Sequence, residues 1–164
     1  DAALGVAAAD RFANGRGIVA AKFVLHALWV AGVALLVFAA GLGVGAAVSI
    51  PGWSSTLAWS SFGGYSCVTL LTLMLLPWAA FFASAGRGYL LPLGWIFLAV
   101  FLAQIAAVLG WGDWFPWSVP ALLSGMAGPR AGDLGAHSYA GVCVACGLGL
   151  AATFAWWRSA DPAR

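Results

Sequence analysis

Apolar positions fill the chain in long blocks that polar residues rarely interrupt. No Lys, Arg, Asp or Glu occurs from Phe23 to Gly86, and the stretches Gly88–Gly112 and Leu134–Trp157 are also free of formal charge. A membrane core of ~30 Å is crossed by about 20 apolar residues in a helix. The first block therefore holds two spans, and the pattern predicts an all-α polytopic membrane bundle of about four transmembrane helices.

Turn signals set the predicted boundaries within a single transmembrane domain, residues 1–164. The spans are predicted at about 18–48, 57–83, 89–109 and 136–157, with breaks at Pro51-Gly52 and around Arg87. Pro77 falls inside the second span, where a proline is expected to kink the helix. Residues 1–17 are Ala-rich and moderately polar, which indicates an amphipathic or frayed cytoplasmic segment at the membrane surface.

The segment between the third and fourth spans is too short and too rich in proline to cross a membrane. Residues 111–125 read WGDWFPWSVPALLSG, with three tryptophans and two prolines. Aromatic residues of this kind are enriched at the membrane–water boundary. Irregular backbone at membrane depth requires cover from protein. We therefore predict a re-entrant or interfacial hairpin over residues 111–127.

Basic residues set the predicted orientation. With four spans, all but one of them fall on the same side, and the exception is Arg130. The residues on the shared side are Arg11, Arg16, Lys22, Arg87, Arg158 and Arg164. Because cytoplasmic loops carry an excess of Lys and Arg, both termini are predicted to be cytoplasmic and the hairpin to face outward.

Composition supports the membrane interpretation and narrows the function classes. The chain is 63% hydrophobic and 7% charged, against about 25% charged in average soluble domains. A net charge of +2 gives no electrostatic support for binding nucleic acid. Glutamate is absent, and neither a phosphate-binding loop nor a nucleophile motif occurs. We expect no enzyme activity, no metal and no cofactor bound by this chain.

Histidine and cysteine residues are the remaining candidates for metal or redox chemistry. His26 and His137 are predicted at different depths, roughly 15 Å or more apart at 1.5 Å per residue, which is too far to flank one haem iron. Asp113 and His137 share the outer side, where they can approach each other. Cys143 and Cys146 lie one helical turn apart, a spacing compatible with a redox pair but more typical of small packing residues.

A few polar residues lie within the predicted spans. Thr69 and Thr72 are one turn apart on the second span, and Gln104 is the one amide deep in a helix. These side chains either hydrogen-bond within the bundle or line a substrate path. The sequence leaves both interpretations open.

Two segments resemble a known family. The first is GRGIVAAKF, Gly15–Phe23, where a basic turn runs into a long helix; the second is GRGYLLPLGWIFLAVFLAQIAAVLGWGDWFPWSVPALLSG, Gly86–Gly125. The second resembles the C-terminal part of the permease of type 2 ABC exporters, the bacitracin and multidrug export class. In that family a cytoplasmic turn, a helix and an outward re-entrant hairpin precede the last span.

The resemblance implies partners and contacts. The family has six spans, so two more would precede residue 1. It implies a separate ABC ATPase that carries ATP and Mg, a second permease copy as a homo- or heterodimer, and the lipid bilayer. The residues it places at the ATPase contact are Asp10, Arg11, Arg16, Lys22, Gly86, Arg87, Gly88 and Tyr89. Apart from the resemblance, the polar side chains within the spans make Thr69, Thr72 and Gln104 the candidate path-lining residues.

The sequence therefore favours a permease subunit that exports a small or amphipathic molecule, multi-pass in a bacterial inner membrane. The alternative from a different class is a membrane-anchor subunit of a redox or other enzyme complex. A third is a scaffold or gene fragment without activity.

Overall fold

A computed structural model describes residues 2–48, 54–86, 88–127 and 134–159, with side chains from residue 17 onward. The described chain contains five helices and no strand. They are α1 (Ala2–Ala47), α2 (Ser55–Ala85), α3 (Leu90–Leu109), α4 (Val119–Leu123) and α5 (Ala136–Ser159). The predicted all-α class is confirmed.

Four of these helices are long and apolar enough to cross a membrane. They cover Gly17–Ala47, Ser55–Ala85, Leu90–Leu109 and Ala136–Ser159, close to the predicted spans. Large apolar side chains on their outer faces are exposed, among them Leu25, Trp29 and Leu36 of α1 at about 70%. A surface of this kind is stable against lipid rather than water. The chain is a multi-pass membrane protein.

The helices extend beyond several of the predicted ends: α2 and α5 each end two residues later than predicted, and two of the starts are earlier. α1 begins at Ala2 rather than near Ile18, because its Ala-rich start contains no proline and alanine is the strongest helix former. α2 begins two residues early, at Ser55. There the Ser54 side chain accepts a hydrogen bond from the backbone N–H of Leu57 at 3.2 Å and caps the helix. Pro51-Gly52 lies outside the described residues.

The core of the bundle is the contact between α2 and α5. Gly149 of α5 is buried where a Cβ would lie 2.9 Å from Cδ1 of Trp78 and 3.0 Å from Cβ of Pro77. The indole N–H of Trp78 donates to the carbonyl of Ala145 at 2.8 Å. The absence of a side chain at Gly149 thus allows α5 to pack closely on α2 at Pro77, and the hydrogen bond to Ala145 fixes the ring of Trp78 beside it.

The segment between α3 and α5, where a re-entrant or interfacial hairpin is predicted, folds back onto the bundle. Gly110, with φ of 84°, ends α3 in the left-handed conformation that favours glycine. The chain then turns into α4, whose Val119 and Leu122 are 0% and 2% exposed. Val119 packs with Leu71 and Leu75 of α2 and with Val142 and Ala145 of α5. Ser118 is fully buried, and its hydroxyl donates to the carbonyl of Gly112 at 2.5 Å.

Contacts along α1 fix how the bundle is arranged end to end. Phe38 packs on Phe62 and Tyr65 in the first half of α2. Lys22 lies over the ring of Trp157 near the end of α5. The early part of the α1 span, the last turns of α2 and the end of α5 therefore meet at one end of the bundle, and the hairpin lies at the other.

Candidate functional site

A cavity opens at the end of the bundle opposite the hairpin. It has a volume of about 630 Å³ and is lined by side chains of α1, α2, α3 and α5. This volume falls within the ~300–1,000 Å³ that is typical of small-molecule sites. Four of the five helices contribute to it, so it is the point at which most of the described elements converge.

Two polar side chains of α1 face this cavity. Lys22 and His26 are four residues apart, a spacing that places both on one face of a helix. Both are exposed rather than buried in the bundle. The Lys22 ammonium lies 5.4 Å from the centroid of the Trp157 ring, within reach of a cation–π interaction. A cation is therefore held at the mouth of the cavity.

The end of α5 is held by a group of hydrogen bonds at Ser84. The Trp157 indole N–H donates to Oγ of Ser84 at 3.0 Å, and that of Trp156 donates to the Ser84 carbonyl at 3.1 Å. The Ser84 hydroxyl in turn donates to the carbonyl of Ala80 at 2.8 Å. These bonds fix the Trp157 ring beneath the Lys22 ammonium.

The deeper wall of the cavity is almost entirely apolar. Leu76, Ala79, Ala80 and Ala83 line it from α2. Thr153 of α5 is 1% exposed, and its hydroxyl is engaged with the carbonyls of Pro77 and Gly149 at 3.1 and 2.8 Å. The free polar groups of this cavity are therefore at its mouth, and its interior offers packing to a hydrocarbon.

The residues predicted at an ATPase contact are distributed over two places. Lys22 lies at the cavity mouth, whereas Gly86, Gly88 and Tyr89 lie in the α2–α3 turn. Gly86 and Gly88 line a second cavity of about 580 Å³, otherwise formed by apolar side chains including Trp95.

The remaining contact candidates lie outside the described side chains. Asp10, Arg11 and Arg16 belong to α1, but their side chains lie outside the described part of the chain. Arg87 lies outside it altogether.

The predicted path-lining residues do not meet in this chain. The hydroxyls of Thr69 and Thr72 donate to the carbonyls of Tyr65 and Val68 in their own helix, at 2.9 and 2.8 Å. Thr72 and Gln104 are exposed on the outer faces of α2 and α3. None of the three lines either of the two cavities.

The two histidines have separate neighbours. Nε2 of His137 lies 3.1 Å from Oδ2 of Asp113, and the imidazole stacks on Trp114 at 4.6 Å. The predicted approach of Asp113 and His137 is therefore confirmed, at the hairpin end of the bundle. His26 lies in the cavity at the other end. Within the described part of the chain, no three His, Cys, Asp or Glu side chains are grouped as a metal site.

The cysteines are free thiols. Cys143 is exposed on α5 and Cys146, one turn later, is half-buried.

Four polar residues line the cavity at the end of the bundle opposite the hairpin. The sequence analysis singles out Lys22 as a contact candidate and His26 as a histidine, but it does not identify Ser84 or Thr153. The aromatic pair that ends α5, Trp156-Trp157, is the one signal in the sequence that marks this region.

Comparison of the chain with family models, with curated proteins and with solved structures finds no match.

Proposed function

We propose that the chain is the transmembrane permease subunit of an ATP-driven export system. The observation that carries the proposal is the order of elements over Gly86–Gly125: a tight turn, the α3 span, and a hairpin whose α4 packs back onto α2 and α5. This order agrees with the one that the resemblance to type 2 ABC exporter permeases implies. The proposed location is a bacterial inner membrane.

The chemistry of the chain suits a subunit that moves rather than catalyses. A permease coupled to an ATPase needs helices that can adopt two arrangements and a contact surface on the cytoplasmic side. Pro77 interrupts the hydrogen bonding of α2 beside its contact with α5. The turn at Gly86–Tyr89 lies at the end of the bundle that carries Lys22. These features support the proposal without requiring a catalytic residue.

The first experiment is the purification of the tagged full-length reading frame from its native membranes in a mild detergent, followed by mass spectrometry of co-purifying chains. We expect a stoichiometric ATPase with a G-x-x-x-x-G-K-[ST] loop, and a second permease copy. A redox or catalytic partner without an ATPase, together with a haem absorbance band that is lost when His26 or His137 is changed, would instead identify the anchor subunit.

The contact itself is tested by charge reversal. Arg16→Glu and Arg87→Glu should lower both the recovery of the ATPase and the stimulation of ATP hydrolysis by the complex. Arg158→Glu is the matched control, since Arg158 lies at the end of α5 and outside the implied contact. Unchanged coupling in both test variants would remove this part of the proposal.

A further inference from the structure

The Lys22 ammonium at the mouth of the cavity has no anionic partner among the described side chains. Asp113 is the only acidic side chain that the described part of the chain contains, and it pairs with His137 at the opposite end of the bundle. Lys22 instead contacts the Trp157 ring at 5.4 Å. An ammonium beside an apolar cavity favours an anionic partner, since charge attraction strengthens as water is excluded.

The position of the cavity in the bundle fits a lipid. Lys22 directly precedes the charge-free stretch that begins at Phe23, which places it at the edge of the apolar part of α1. Trp157 lies beside Arg158 at the end of α5, as expected for an interfacial tryptophan. The cation is therefore at the level where phospholipid headgroups meet the hydrocarbon.

The shape of the cavity fits an acyl chain below that headgroup. Its wall on α2 runs from Ser84 to Leu76, a rise of about 12 Å, and is formed by alanines between these ends. Ile96 of α3 and Trp157 of α5, which also line the cavity, are 46% and 40% exposed. The cavity thus opens on the outer surface of the bundle, where a lipid enters from the side.

We propose that this cavity is a binding site for an anionic phospholipid. The headgroup phosphate, with no choline cation beside it to oppose the Lys22 ammonium, pairs with that ammonium and accepts a hydrogen bond from the imidazole of His26, one turn deeper. One acyl chain lies along Ala79, Ala80 and Ala83 of α2. This proposal does not depend on the export function, because it concerns the membrane around the chain and not its cargo.

The test uses the full chain in nanodiscs of phosphatidylcholine that contain a minor fraction of phosphatidylglycerol. Native mass spectrometry counts the lipids retained, and phosphatidylglycerol brominated on its acyl chains reports proximity through quenching of Trp157 fluorescence. Trp157→Phe supplies the background from the other tryptophans. We expect retention of phosphatidylglycerol over phosphatidylcholine, with quenching of the unchanged protein that exceeds the background measured in Trp157→Phe.

Charge variants and cavity-filling variants distinguish binding in this cavity from general attraction of a basic protein to anionic lipid. Lys22→Gln should weaken phosphatidylglycerol binding about tenfold, as expected for loss of a charge-assisted contact, and Lys22→Arg should retain it. Arg158→Gln is the charge control and should bind as the unchanged protein does. Ala83→Leu should fill the cavity and lower retention, whereas Ala40→Leu, exposed on α1 away from the cavity, should not.

Several results would overturn the proposal. These are equal retention of the two phospholipids, equal losses in Lys22→Gln and Arg158→Gln, or unchanged binding in Ala83→Leu. Binding of oleate without binding of phosphatidylglycerol would identify a free fatty acid as the occupant instead. Circular dichroism checks that each variant is folded. Retained binding in Lys22→Arg would show that the loss in Lys22→Gln comes from the missing charge and not from misfolding.

Discussion

The hydroxyl of Thr153 on α5 donates a hydrogen bond to the backbone carbonyl of Pro77 on α2, 3.1 Å away. Proline lacks a backbone N–H, so α2 loses one of its own hydrogen bonds at this turn. Thr153 shares its proton with the carbonyl of Gly149 at 2.8 Å. A side chain from the neighbouring helix therefore ties the two helices together where α2 is weakest.

Thr153→Val should destabilise the bundle. The substitution keeps the shape of the side chain and removes the hydroxyl, so we expect a loss of about 0.5–1.5 kcal/mol in the free energy of unfolding. Thr72→Val is the control, because the Thr72 hydroxyl bonds only within its own helix and the residue is exposed. Reversible unfolding in mixed micelles measures both. Equal effects would show that the interhelical bond contributes nothing.

Gly149→Ala should destabilise the contact between α2 and α5 more strongly. The added Cβ would lie 2.9 Å from Trp78 and 3.0 Å from Pro77. Neither neighbour can yield easily, because one is hydrogen-bonded to Ala145 and the other is a ring fixed to the backbone. Overpacking of this kind costs about 1–3 kcal/mol.

The control for this prediction lies two residues away on the same helix. Gly147 has open space where its Cβ would be added, so Gly147→Ala should leave stability unchanged or raise it slightly by its greater helix propensity. Thermal unfolding in detergent compares the two variants. A Gly149→Ala protein as stable as Gly147→Ala would mean that α5 can shift away from α2 without loss.

The hairpin contains one contact that is open to solvent and one that is buried, and removing each should lower the stability of the protein to a different extent. Asp113 and His137 have side-chain exposures of 21% and 38%, and a pair this open to solvent contributes at most about 1 kcal/mol. The Ser118 hydroxyl, fully buried, bonds to the carbonyl of Gly112.

Ser118→Ala would leave that buried carbonyl with fewer partners, at a cost of about 1–3 kcal/mol. We therefore expect Ser118→Ala to lower the unfolding temperature more than Asp113→Ala does. The reverse order would place the anchor of the hairpin at its exposed ion pair.

Sequence periodicity and length predict most of this fold, because crossing a membrane demands uninterrupted apolar helices. α3 is predicted within one residue, since glycine ends it and a turn precedes it. The cluster of tryptophan and proline also predicts the hairpin. The early start of α1 does not follow from the pattern, because an Ala-rich, moderately polar stretch indicates a surface segment, while the helix propensity of alanine still continues the helix to Ala2.

The candidate site is less accessible to sequence reasoning. The spacing of Lys22 and His26 shows that they share a helix face, but their partners Ser84 and Trp157 are far away in the chain. The buried position of Gly149 depends on where α5 crosses Pro77. In an Ala/Gly-rich sequence no glycine stands out, so the one that sets the helix contact is visible only in the structure.

Orientation in the membrane is testable with cysteine labelling. The distribution of basic residues predicts that the α2–α3 turn is cytoplasmic and that the hairpin faces outward. In a background where Cys67, Cys143 and Cys146 are replaced by alanine, Gly88→Cys and Met126→Cys introduce one thiol on each side. Gly88 has open space for a side chain, and Met126 is 84% exposed, so both positions should tolerate the change.

A membrane-impermeant maleimide should label Met126→Cys in intact cells and Gly88→Cys only after permeabilisation. This result is expected because the four-span topology predicts six of the seven Lys and Arg residues on the Gly88 side, and cytoplasmic segments retain such charges. The opposite pattern would place Lys22 and the α2–α3 turn outside the cell. Since an ATPase acts from the cytoplasm, that outcome would exclude the proposed contact and direct the search for partners to the hairpin end.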